Sequence, residues 1–113
     1  ENTDKGPSRA LASTTRIKRL AKGKTKPDVI LFYGGTNDRL SGIKTGSFKP
    51  SKAPASIKKS VKKWNTFADA FVAAIVRMEN YYPNAQIIVI IHNVGDSKKK
   101  VMKDVCNYYN ISY

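Results

Sequence analysis

The chain has 113 residues, 41% apolar and 26% charged, which suits one small domain or part of a larger one and is ordinary for a globular protein. Its formal net charge of +13 is not ordinary, and so basic a surface attracts anions in general, whether nucleic acid, anionic lipid or acidic polymer. One cysteine, Cys106, and one histidine, His92, exclude an internal disulfide and any cysteine- or histidine-cluster metal site, and no run of about 18 apolar residues offers a membrane span.

Residues 1–7 are polar and end in Gly6-Pro7, as a loop does. Ser8 is positioned to cap a first helix, along which Leu11, Thr14, Ile17 and Leu20/Ala21 recur at helical spacing. Arg9, Arg16, Lys18, Arg19 and Lys22 fall on its other face, and Gly23 is the expected stop, followed by the basic connection Lys24-Thr25-Lys26-Pro27. Asp28 to Tyr33 holds a continuous apolar run without alternation, which predicts a parallel strand buried on both faces. The run ends at Gly34-Gly35-Thr36-Asn37-Asp38. Residues 39–59, rich in Gly, Ser, Pro and Lys, predict a long loop.

The spacing predicts a long helix over Ser60 to Tyr81, with Trp64, Phe67, Phe71, Ile75 and Met78 as its apolar stripe and Ala68, Ala70, Ala73 and Ala74 around it. Tyr82-Pro83-Asn84 breaks it. Gln86 to Ile91 predicts a second buried strand, and Gly95-Asp96-Ser97 a turn in which Asp96 or Ser97 caps the next helix. Val101, Val105 and Tyr108 line that helix, which ends near Asn110, and Ile111 to Tyr113 opens a third strand. The order α-β-α-β-α-β predicts a parallel sheet with helices on its faces.

In an open parallel sheet, ligands bind beyond the carboxyl ends of the strands. The segment from Gly34 to Asp38 sits there. Its two glycines allow a sharp turn and a close approach, and Asn37 would present a neutral amide donor suited to a developing oxyanion. Residue chemistry alone allows an equally good alternative, a strand-ending turn, because Gly, Asn and Asp all form turns.

The segment Lys26-Pro-Asp-Val-Ile-Leu-Phe-Tyr-Gly-Gly-Thr-Asn-Asp38 resembles the Gly-x-Asn-Asp block of SGNH (GDSL-type) ester hydrolases, which follows a buried strand introduced by Pro-Asp. The stretches Asn65-Thr-Phe-Ala-Asp-Ala-Phe71 and Tyr82-Pro-Asn-Ala-Gln-Ile-Ile-Val-Ile90 are similar to that family as well, so the likeness runs from about Arg16 to Tyr113. The resemblance implies a flavodoxin-like three-layer α/β/α sandwich and serine acyl transfer, with histidine as base and aspartate orienting it. Carried over, Asn37 is the oxyanion-hole donor, Gly35 is the glycine that permits the turn, and Asp38 orders the loop through backbone hydrogen bonds.

The chain departs from that pattern in what it lacks. The nucleophile should lie in a Gly-Asp-Ser block ahead of Gly-x-Asn-Asp, where only Ser8 and Ser13 stand, neither after Gly-Asp. Gly95-Asp96-Ser97 has those letters after the second strand, where a helix cap is the better reading. The Asp-x-x-His block should follow the last strand, where the chain stops. His92 ends a strand one step too early to be the family's base and is expected to have a structural role; Cys106 is expected to be a buried thiol. Residues 1–113 are therefore expected to be the central part of a single domain, with about three of five strands present and the nucleophile and Asp/His blocks absent. The start without Met and the end on an apolar restart agree with that expectation, and no signal peptide is visible.

The implied activity is hydrolysis of an ester, such as an O-acylated carbohydrate or a lipid, without a metal or cofactor. The remaining parent sequence or a second chain would supply the missing blocks, and the unpaired edge of strand 29–33 is expected to favour self-association. The rival reading is a non-catalytic, basic flavodoxin-like module that holds an anionic polymer or nucleic acid.

Overall fold

The computed structural model describes residues 14–21, 23–50 and 66–113. In chain order these form α1 (Thr14–Lys18), β1 (Val29–Phe32), α2 (Thr36–Leu40), α3 (Phe67–Tyr81), β2 (Gln86–Val89) and α4 (Asp96–Tyr109). The expected caps and stripe residues at Ser8, Leu11 and Trp64, and the expected helix start at Ser60, lie outside the described residues.

β1 and β2 pair in parallel, Val29 opposite Gln86 and Phe32 opposite Val89. Alternate residues of β2 serve opposite edges. Ile90 N–H donates to Phe32 O at 2.8 Å, while Val89 N–H donates to Ser112 O at 2.9 Å on the far side. The expected third strand is reduced to one parallel bridge, Ile88 to Ser112, but it lies where that strand would run. The sheet is thus parallel and incomplete.

Ile30 and Phe32 of β1 and Ile87 and Val89 of β2 point inward and join Phe67, Phe71, Ile75 and Met78 of α3 in one core, with Val101, Met102, Val105 and Cys106 of α4. Phe32 meets Phe71 edge-on at a ring separation of 5.5 Å. The α3 stripe is buried as its spacing predicts. On α4, Val101 and Val105 line the core as expected and Cys106 is buried as expected, but Tyr108 is exposed and Met102 is buried.

The strand expected to be buried on both faces is buried on one. Val29, Leu31 and Tyr33 are 51%, 65% and 61% exposed, and Ile90 of the neighbouring segment is exposed too. An unbroken apolar run shows that both faces of a strand are apolar. It does not show that this segment brings both layers that would cover them. Among the described residues the helices reach one face, and no helix is long and apolar enough to cross a membrane.

Three boundaries move for local reasons. α1 stops at Lys18, before Gly23, because its last amides tighten onto carbonyls three residues back and the buried Tyr82 hydroxyl occupies the end. That hydroxyl donates to Ile17 O at 2.7 Å and accepts from Ala21 N–H at 3.1 Å. α3 begins at Phe67. Thr66 is extended, and its Oγ1 accepts from Asp69 N–H at 3.2 Å, while the amides of Phe67 and Ala68 donate to Lys44 O and Thr45 O, both at 2.9 Å. α4 begins at Asp96, with Gly95 at the cap position and no side-chain cap, so neither Asp96 nor Ser97 is the cap. Its end at left-handed Asn110 is where the sequence puts it.

Candidate active site

Residues 36–40, read from composition as turn and loop, form the short helix α2. The turn into it rests on Gly35, whose φ is +107°. A Cβ there would stand 3.1 Å from both the Phe67 ring and Val94 Cγ1, so the position demands glycine for its torsion and for its space. Gly34 is buried beside it without a positive φ. The backbone therefore leaves β1 between the first turn of α3 and the loop after β2, and it delivers Thr36 and Asn37 at the carboxyl end of the sheet.

Thr36 and Asn37 are exposed and Asp38 is buried, as one turn of helix against a core requires. No hydrogen bond from a described residue engages the Asn37 amide. Asp38 is 1% exposed, and its Oδ1 has no partner among the described residues. Burial pushes its carboxyl up to about 6, against the pull of its own backbone N–H and of the Lys98 charge. The expected ordering of the loop by Asp38 therefore has a cost attached, because a carboxylate here is desolvated faster than it is bonded.

That cost is measurable. Below pH 4 the carboxyl is protonated whether the chain is folded or not. Between about pH 4 and 6 the unfolded chain releases the proton while the folded one keeps it, so stability falls across that window and stays lower above it. Asp38→Asn should remove the fall, leaving the variant more stable at pH 8, by at most about 2–3 kcal/mol, and nearly equal at pH 4. Urea unfolding of both proteins at the two pH values measures the difference. An identical pH profile for the two would show that Asp38 is ionised at no cost.

His92 lies beyond the end of β2, beside this turn. Its Nδ1 is 3.2 Å from Ile90 O, a carbonyl that can only accept, so Nδ1 carries the proton. Nε2 then accepts from the Thr36 hydroxyl at 3.0 Å. The Tyr33 ring stacks on the imidazole, 4.1 Å between centroids and 26° between planes. From the next residue, Asn93 O accepts from Arg39 Nη1 at 3.0 Å. No local pattern of residues signals these ties, because they depend on the parallel register that sets the two strand ends side by side.

Of the serines, Ser97 lies in the first turn of α4 and hydrogen-bonds Thr45 Oγ1 at 2.9 Å, while Ser8 and Ser13 lie outside the described residues. Cys106 is fully buried, and burial pushes its thiol up to about 11, so at neutral pH it stays protonated and is a poor nucleophile.

A family model described as GDSL-like Lipase/Acylhydrolase matches residues 5–113. Among curated proteins none matches. Two solved structures, both described as GDSL-like lipases, are similar to this chain. One, from Bacteroides uniformis, is 26% identical with a TM-score of 0.69 over 87% of this chain and 42% of its own. The other, from Bacteroides ovatus, is 26% identical with a TM-score of 0.65 over 85% of this chain and 44% of its own. The chain thus spans less than half the length of these relatives and shares their fold of helices on a parallel sheet. It belongs to the GDSL-like lipase/acylhydrolase family.

Proposed function

We propose that this chain is the oxyanion-hole segment of a serine-dependent ester hydrolase, with Asn37 as the donor. The observation that carries the reading is the contrast within one turn of α2: Gly35 and Asp38 are buried and fix the backbone, while Asn37 between them is exposed with its amide unclaimed by described residues. A tetrahedral intermediate places negative charge on the former carbonyl oxygen. A preset amide N–H stabilises that charge without reorganising as it forms. Asn37 supplies such a donor at the end of the sheet where ligands of this architecture bind. The substrate is an ester, with O-acylated carbohydrate and lipid esters both within the class.

The nucleophile and its Asp/His pair belong to the rest of the parent polypeptide, or to a second chain. Ser97 is engaged with Thr45, and the only histidine has its Nδ1 proton on a backbone carbonyl. The isolated 113-residue chain is therefore expected to be inert toward p-nitrophenyl esters and unlabelled by a fluorophosphonate, whereas the full-length polypeptide turns over the ester and is labelled. It is also expected to self-associate in sedimentation, since Val29, Leu31 and Tyr33 leave an apolar row beside the edge of β1. Fluorophosphonate-sensitive turnover by the isolated chain would place a nucleophile among Ser8, Ser13 and Ser97 and sink the chemical part. A stable monomer with slowly exchanging amides along 29–33 would sink the structural part.

A further inference from the structure

We infer that His92 is a positioning residue for Asn37, acting through the Thr36 hydroxyl; this rests on the reading of Asn37 as oxyanion donor. α2 has five residues, too few to hold a helical turn by its own backbone hydrogen bonds. Its direction, and with it the aim of Asn37, has to be set from outside. Thr36 opens the helix and directly precedes Asn37. Its hydroxyl donates to His92 Nε2 at 3.0 Å, across a separation of 56 residues.

The imidazole itself is held on two further sides. Nδ1–H donates to Ile90 O at 3.2 Å, which fixes the ring to the end of β2, and Tyr33 covers a face of the ring at 4.1 Å. Three residues on from Thr36, and so on nearly the same side of α2, Arg39 Nη1 reaches Asn93 O at 3.0 Å. Two neighbouring residues of the β2 loop thus grip α2 at both its ends. Rotation of the turn would break both ties, whereas a turn in its present place makes both. The imidazole relays the position of the sheet to the helix and is not placed to take a proton from a nucleophile, since its Nε2 lone pair is already occupied by Thr36.

The test is a set of variants of the full-length enzyme. His92→Ala and Thr36→Val should each lower kcat about tenfold with KM nearly unchanged, and the double variant should do no worse than either alone, because both remove one tie. His92→Gln, whose amide can donate and accept, should recover kcat to within about threefold of the parent. In an Asn37→Ala background, His92→Ala should have no further effect. Effects that multiply in the double variant would overturn the relay. So would an unchanged kcat in His92→Ala, or a loss of several orders of magnitude that Gln does not rescue, which would make His92 a base. The reading of Asn37 fails separately, if Asn37→Ala retains turnover. The tie is then still read by the Asn37 side-chain amide resonances, expected to shift in His92→Ala and to return in His92→Gln. Resonances identical to the parent's in His92→Ala would overturn the inference by themselves.

Discussion

Replacing Asn37 by alanine in the full-length enzyme is expected to lower turnover by about 10²–10³ while KM stays close to its original value. The split follows from where charge appears. The ground-state ester carbonyl is a weak acceptor, so a lost donor costs little binding. The tetrahedral oxyanion is a strong one, and water that replaces the lost amide must reorganise as the charge forms. The fold should be unaffected, since the Asn37 side chain is exposed and supports no described neighbour. The measurement is steady-state hydrolysis of a simple ester by protein whose circular dichroism matches the parent's. Turnover within twofold of the parent would remove Asn37 from the reaction. A rise in KM alone would make it a substrate-binding group.

The second large effect is expected at Gly35. Alanine there must adopt a φ near +107° and fit a methyl group 3.1 Å from two side chains already packed in the core. Torsional strain and overpacking together should cost on the order of 2–4 kcal/mol. Phe67 and Val94 cannot both retreat freely, because each is almost wholly buried. The urea midpoint should fall at unchanged slope, and whatever folded enzyme remains should turn over slowly, because the residue two places on is Asn37. A Gly35→Ala protein with parent stability would mean that the turn can move without consequence. Gly34→Ala, at a position without the left-handed torsion, should be the milder change at this turn.

What could be read from residues alone was what repeats. The α3 stripe is legible because Phe67, Phe71, Ile75 and Met78 recur at three- and four-residue spacing, and β1 because an apolar run between Pro-Asp and Gly-Gly has little else to be. Gly35 and Asn37 were legible as a turn at the end of a strand. What stayed hidden depends on contacts between distant segments. Thr66 caps α3 because Lys44 and Thr45 fill the adjacent amide positions, which no local pattern announces. α2 is a single turn in a stretch whose Gly and Ser content reads as loop. Asp38 has the composition of a solvated turn residue and is nonetheless buried, because the helical turn points it inward. The place of His92 in the chain predicts a structural role, but its partners Thr36 and Tyr33 come from the neighbouring strand's end and are fixed only by parallel register.

The segment that follows α2 is pinned as far as Phe48. Lys44 and Thr45 are bonded to the first amides of α3, Gly46 lies where a Cβ would come within 2.5 Å of Thr66, and the Phe48 ring meets Tyr108 edge-on at 5.5 Å. Inserted or exchanged residues between Ile43 and Phe48 would therefore unseat the start of α3 as well as the loop. An engineer altering this end of the sheet should therefore leave the stretch from Thr36 to Phe48 at its present length and sequence.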